Sequence, residues 1–140
     1  MELTAQARSI PGTLRQVIIV SDRFYLVTDE PESLGGEDTA PSPHELLPAA
    51  LASCISVTMV MYARTKGWDL GEVTVSVAYD AKARPRRFDV DITIEGELDS
   101  EQLERLEQVA ATCPVRRALE GDVVFDERIL LSRTAQEIAV

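Results

Sequence analysis

The sequence predicts an α+β fold, with elements in the order ββ, long helix, ββ, helix pair, β. Three observations carry this. Residues 46–63 hold no charged side chain, as a long, largely covered helix would. Beyond it, Val73, Val75, Val77 and Tyr79, then Phe88, Val90, Ile92 and Ile94, alternate with other residues as one face of a hairpin does. Leu103, Leu106, Val109, Ala110 and Cys113 then recur at helical spacing on one face.

Taken in order, residues 3–20 read as extended, with a turn at Pro11-Gly12 and a short buried run over Val17–Val20. Ser21–Arg23 turns into a second strand, Phe24–Thr28, and the pair forms a hairpin. Residues 29–41 are a loop rich in Gly, Pro and acids. Ser42-Pro43-His44-Glu45 then has the form of a helix start: Ser42 as N-cap, Pro43 at the first helical position, and Glu45 closing a capping box. Arg64 and Lys66 suit a helix C-terminus, and Gly67 is a left-handed stop. Pro48 lacks an amide, so either the helix kinks there or its first turn is a separate piece.

The second hairpin is joined by the basic turn 81–87. Asp99 with Gln102 makes another capping box, and Pro114 interrupts the helix that follows and starts a short one, Val115–Glu120, closed by Gly121. Val123–Leu131 is apolar enough for a last strand, and a frayed tail is expected after it.

At 140 residues the chain is expected to be one domain, 1–140. Its 14 basic against 24 acidic residues leave a net charge of −10, which argues against nucleic acid or an anionic membrane surface as partner. The uncharged helix is near the lower length limit for a membrane span. Its small and hydroxyl residues (Ala49, Ala50, Ala52, Ser53, Ser56, Thr58) and Pro48 argue against that role. A helix apolar on nearly all sides must be covered on nearly all sides, and in so short a chain the cover is expected to include a second subunit. Residues 1–20 carry no apolar run of the signal-peptide kind, so a cytoplasmic location is expected.

The chemistry rests on two cysteines, Cys54 and Cys113. Without a disulfide framework, the plain assignment for each is a small buried hydrophobe. Cys113 precedes Pro114 at a helix N-terminus, where the dipole favours a thiolate; Cys54 sits mid-helix, where burial alone raises a thiol pKa. Dipole reasoning therefore favours Cys113 as the more acidic thiol. His44, the only histidine, could complete a Cys2His metal site with the two cysteines, but no Cys-x-x-Cys pair supports one. No metal or other cofactor is expected.

Three segments, GGEDTAPSPHELLPAALASC, YARTKGWDLGEVTVSV and EQLERLEQVAATCPV, resemble the OsmC/Ohr superfamily of osmotically induced and organic hydroperoxide resistance proteins. The likeness covers roughly residues 14–130, which it implies to be the core of the single domain, and is greater to the OsmC-like branch. The resemblance implies an intertwined homodimer whose two central helices are wrapped by sheets from both chains. It implies a thiol peroxidase in which Cys54 attacks an organic hydroperoxide and becomes a sulfenic acid. Cys113 then condenses with it to a disulfide that a dithiol reduces. In the peroxidase branches the helix opens Asn-Pro-Glu, and that glutamate prepares the thiolate through an arginine from the N-terminal strands. Here His44 holds the glutamate position and Glu45 stands one place further on, where the capping box already explains it. Arg15 is the nearest candidate for the arginine, with Arg8 and Arg23 behind it. A non-enzymatic alternative is a dimer that holds an apolar ligand at its interface, with the cysteines as a weak redox switch.

Overall fold

The computed structural model describes residues 1–132. Two antiparallel sheets and three α-helices make up the α+β fold. The first sheet is a three-stranded meander, β1 (Ala5–Ser9), β2 (Gln16–Val20) and β3 (Phe24–Thr28). The segment before Pro11 is thus a strand of its own, paired Ala5 to Val20 through Ser9 to Gln16, and the expected N-terminal hairpin has a third member.

The loop after β3 is tied back by Asp29. Its carboxylate accepts from the Thr39 hydroxyl at 2.6 Å, the Thr39 amide at 3.0 Å and the Glu30 amide at 2.8 Å. Led by the Thr39 bonds, these donors hold Asp29 down to about pKa 2 against the upward push of burial. The loop delivers the chain to Ser42, where the capping box forms as expected: the Glu45 amide donates to the Ser42 hydroxyl, and the Glu45 carboxylate accepts from the Ser42 amide and hydroxyl.

The box closes a separate 3-10 turn, Pro43–Glu45, and α1 runs from Leu46 to Lys66. This settles the position of Pro48. It falls in the first turn of α1, where amides have no intrahelical partner, so no backbone bond is lost to it. Gly67, at φ 73°, terminates the helix in the left-handed region, its amide donating to the Ala63 and Arg64 carbonyls.

The second hairpin, β4 (Val73–Asp80) with β5 (Arg87–Ile94), puts Val73, Val75, Val77 and Tyr79 opposite Ile94, Ile92, Val90 and Phe88. Val73, Val75, Val77, Phe88 and Ile94 of this face pack on the core around α1, as do α2 (Ser100–Ala110) and α3 (Pro114–Glu120), whereas Val90 and Ile92 are exposed. One stripe of α1, Leu51, Ile55, Met59 and Ala63, is buried there with Leu70, Leu106, Ala110 and Cys113. Its four-residue spacing is that of a single helix face. Burying each large apolar side chain stabilises the fold by about 1.5–3 kcal/mol.

Two expectations are corrected. Leu103 is exposed, because the buried face of α2 is narrower and runs through Leu106, Val109 and Ala110. The last strand does not form: residues 122–131 are irregular and exposed, and pair with no strand among the described residues. The cover of α1 is also incomplete. Val57 and Met61, on the side away from the core stripe, are 50% and 61% exposed, and neither β2 nor β3 packs extensively against the helix. By length and composition α1 with its preceding turn is apolar enough to cross a membrane, and 22% of its most apolar stretch is buried within the chain. The end of the tail, residues 133–140, lies outside the described residues.

Candidate functional site

Cys54 sits in the middle of α1, half-buried, one position before the core residue Ile55. Cys113 lies at the junction of α2 and α3, fully buried at 0% exposure, because the chain must turn there for α3 to pack on α1. Its backbone is extended (φ −50°, ψ 128°), as the residue before a proline requires, and it serves as N-cap of α3. The two thiols, far apart in sequence, meet across the α1–α3 contact and interact directly.

Their proton affinities diverge. Burial pushes the Cys54 thiol up, but the Cys113 side chain, the Val115 amide and the Thr58 hydroxyl together bring it below the ordinary thiol value. Cys113 goes the other way: burial and the neighbouring Cys54 raise it, and the Arg116 and Val115 amides only partly compensate. The expectation that the dipole of α3 makes Cys113 the more acidic thiol is therefore corrected. Residues at the start of α3 do donate, but the Val115 amide also serves Cys54, and complete burial dominates at Cys113.

The other sequence candidates lie elsewhere within the chain. His44 is exposed, with its ring edge-on to Tyr79 at 5.4 Å, and Tyr79 stacks on Phe88 at 4.4 Å. Glu45 is occupied by Ser42, which lowers its pKa through the Ser42 amide and hydroxyl. Arg15 immediately precedes β2, and its buried Nε has no hydrogen-bond partner among the described residues. Arg23 lies over the Phe24 ring at 4.6 Å. None of Arg15, His44 and Glu45 acts on Cys54 within the chain. Among the described residues no three or more His, Cys, Asp or Glu side chains converge as a metal site.

Next to the turn of α1 that carries Cys54 lies a groove of about 420 Å³, lined by Leu51, Ile55, Phe88, Val90, Ile92, Ala110 and Leu119 together with the charged Glu107, Arg116 and Glu120; neither cysteine is among its lining residues. Arg116 and Glu120 pair with each other at 2.7 Å. Two contributors to the cysteine environment were not assigned roles from sequence, the Thr58 hydroxyl and the Val115 amide. The first was visible as a hydroxyl one helical turn after Cys54. The second depends on how α3 docks, which no local pattern encodes.

The OsmC-like protein family model matches residues 35–128, which include both cysteines. The chain belongs to the OsmC family. Among solved structures it is similar to an osmotic stress induced and detoxification response protein from Psychrobacter arcticus, at 31% identity and a TM-score of 0.70, over 82% of this chain and 86% of that one. It is also similar to the organic hydroperoxide resistance protein OsmC of Legionella pneumophila, at 26% identity and TM-score 0.59, over 86% and 90% of the two chains. An organic hydroperoxide resistance protein of Vibrio cholerae, with captopril in one of its active sites, matches at 25% identity and TM-score 0.60, over 87% and 86%. No curated protein sequence matches the chain.

Proposed function

We propose that this OsmC-family protein is a thiol-dependent peroxidase for organic hydroperoxides. The observation that carries the reading is the meeting of Cys54 and Cys113, one thiol half-buried and made more acidic, the other fully buried and made less so. The Cys54 thiolate attacks the terminal oxygen of ROOH; the O–O bond breaks, the alkoxide takes a proton and leaves as ROH, and Cys54 becomes a sulfenic acid. The Cys113 thiol then attacks the sulfenic sulfur, water leaves, and a Cys54–Cys113 disulfide forms. A dithiol returns both cysteines to thiols and is itself oxidised to a disulfide. The organic part of the peroxide occupies the groove walled by Leu51, Ile55, Phe88, Val90 and Ile92.

The working form is an intertwined homodimer of this single domain, acting in the cytoplasm. The exposed apolar side chains of β3, the uncovered side of α1 and the unpaired 122–131 segment support that assembly. In it the first sheet of one subunit covers α1 of the other, and Arg15 and His44 act across the interface on the partner's Cys54. The groove also favours a second reading, a dimer that holds an apolar ligand without turnover. Peroxide consumption with a dithiol reductant, measured for the wild type beside Cys54→Ser and Cys113→Ser, separates the two. Turnover is expected for the wild type and abolished by Cys54→Ser. Saturable binding of apolar molecules without any turnover would favour the ligand binder.

A further inference from the structure

Further along α1 than Cys54, Tyr62 gathers two cations. Arg105 of α2 donates from Nε to the Tyr62 hydroxyl oxygen at 2.9 Å, with its guanidinium 5.4 Å from the ring centre. Lys66, one helical turn after Tyr62 on the same face of α1, holds its Nζ 5.6 Å from that centre. Trp68 meets the ring edge-on at 5.7 Å.

The pairings these cations forgo are informative. Glu101 stands four residues before Arg105 on α2, the spacing and order at which a helix pairs a carboxylate with a cation. Arg105 instead bonds two neutral oxygens, those of Tyr62 and Gln108. Among the described residues neither Arg105 nor Lys66 pairs with a carboxylate, in a chain of 24 acidic against 14 basic side chains. Led by the Arg105 hydrogen bond, the two cations pull the Tyr62 phenol below its ordinary value, as positive charges without a counter-ion do.

We propose that Tyr62, Lys66 and Arg105 form a binding site for a phosphate-type dianion, independent of the cysteine chemistry. Two positive charges match a dianion, whereas a single carboxylate would compensate only half of them. The donors suit a tetrahedral oxyanion: Arg105 Nη2 has no partner among the described residues, Lys66 has three N–H bonds, and the Tyr62 oxygen accepts from Arg105 while its own proton can point to the ligand. The net charge of −10 repels an anion from a distance. That repulsion is screened beyond about 8 Å at physiological salt, and inside this range the two cations dominate.

Trp68, the only tryptophan in the chain, is the reporter. Inorganic phosphate is titrated into the protein at constant ionic strength and followed by Trp68 fluorescence and by the phosphorus-31 NMR linewidth, which registers binding whether or not the indole responds. A saturable response is expected. Lys66→Gln and Arg105→Gln, both at exposed positions, should each weaken it about tenfold or more through loss of a charge-assisted contact. Tyr62→Phe should weaken it less, and acetate should bind the wild type about tenfold more weakly than phosphate. No saturable response in either signal, an affinity unmoved in the Lys66→Gln, Arg105→Gln double variant, or acetate binding as tightly as phosphate would overturn the site. The titration uses neither peroxide nor thiol chemistry, so its outcome stands apart from that of the peroxidase reading.

Discussion

The side chain of Cys113 lies against the sulfur of Cys54 where α3 packs on α1, and this one contact moves the two thiols in opposite directions. Whichever sulfur ionises first raises the cost of ionising the other. Cys54 has a second advantage, being half-buried where Cys113 has no exposed surface. Titrated with iodoacetamide from low pH upward, Cys54 should be labelled first, with a midpoint below that of an unstructured thiol, about 8.5. Cys113 should stay unlabelled until the protein is unfolded. Preferential labelling of Cys113 in the native state would reverse the assignment of roles.

The same contact predicts the oxidised product. One equivalent of an organic hydroperoxide should convert two free thiols per chain into an intramolecular disulfide, read as a loss of two hydrogens and a single linked peptide pair through Cys54 and Cys113. The bridge would close a loop of about 60 residues, for which chain entropy gives roughly 4 kcal/mol before strain is subtracted. The oxidised protein should therefore melt above the reduced one. In Cys113→Ser the sulfenic acid should persist and be trapped by dimedone; its absence there would remove Cys54 as the peroxide-reducing thiol.

Local chemistry made most of the fold legible. The Ser42–Glu45 capping box, the Gly67 stop, the β4–β5 hairpin and the Cys113-Pro114 helix start each depend on residues close in sequence, and each stands where sequence places it. What failed depends on distant partners. Val123–Leu131 has a strand's composition, but a strand needs a neighbour, and among the described residues this segment pairs with none. Dipole reasoning alone points to Cys113 as the more acidic thiol, while the resemblance points to Cys54; the dipole is local, whereas the complete burial of Cys113 arises from α1 and α3 together. The pairing of Cys54 with Cys113 came from family resemblance and from the shared apolar face, not from the spacing of the two residues.

Ser42 and Glu45 form a closed pair of bonds that explains Glu45 without catalysis. Ser42→Ala should cost about 1 kcal/mol of stability, and Glu45→Ala should likewise lower the melting temperature, with Cys54 reactivity retained in both. His44 has no such local task beyond its edge contact with Tyr79. His44→Ala should slow peroxide reduction more than Glu45→Ala does. If Glu45→Ala instead abolishes turnover at an unchanged melting temperature, the two residues have been assigned the wrong way round.

The uncovered side of α1 predicts assembly. Val57 and Met61 lie outward, and Tyr25 and Leu26 of β3 are exposed on a sheet that packs little against the rest of the chain. Such apolar surface is normally an interface. Sedimentation at micromolar concentration should give twice the chain mass of 15.4 kDa. Met61→Lys should weaken the assembly, because a charge there would be desolvated by the partner. A stable folded monomer of the wild type under these conditions would contradict the dimer.

The groove beside Cys54 sets the expected substrate preference. Leu51, Ile55, Phe88, Val90 and Ile92 offer contact to an alkyl or aryl group and nothing comparable to hydrogen peroxide. Burying about 100 Å² of apolar substrate surface is worth roughly 2.5 kcal/mol, or somewhat under a hundredfold in kcat/KM if the contact persists in the transition state. Cumene hydroperoxide should therefore be reduced with a higher kcat/KM than hydrogen peroxide, with tert-butyl hydroperoxide between them. Ile92→Asp places a charge in the wall and should narrow the ratio chiefly through the KM for cumene hydroperoxide, since the sulfur and its donors are untouched. Equal rates for the three peroxides in the wild type, or a ratio unmoved by Ile92→Asp, would place the organic group somewhere other than this groove.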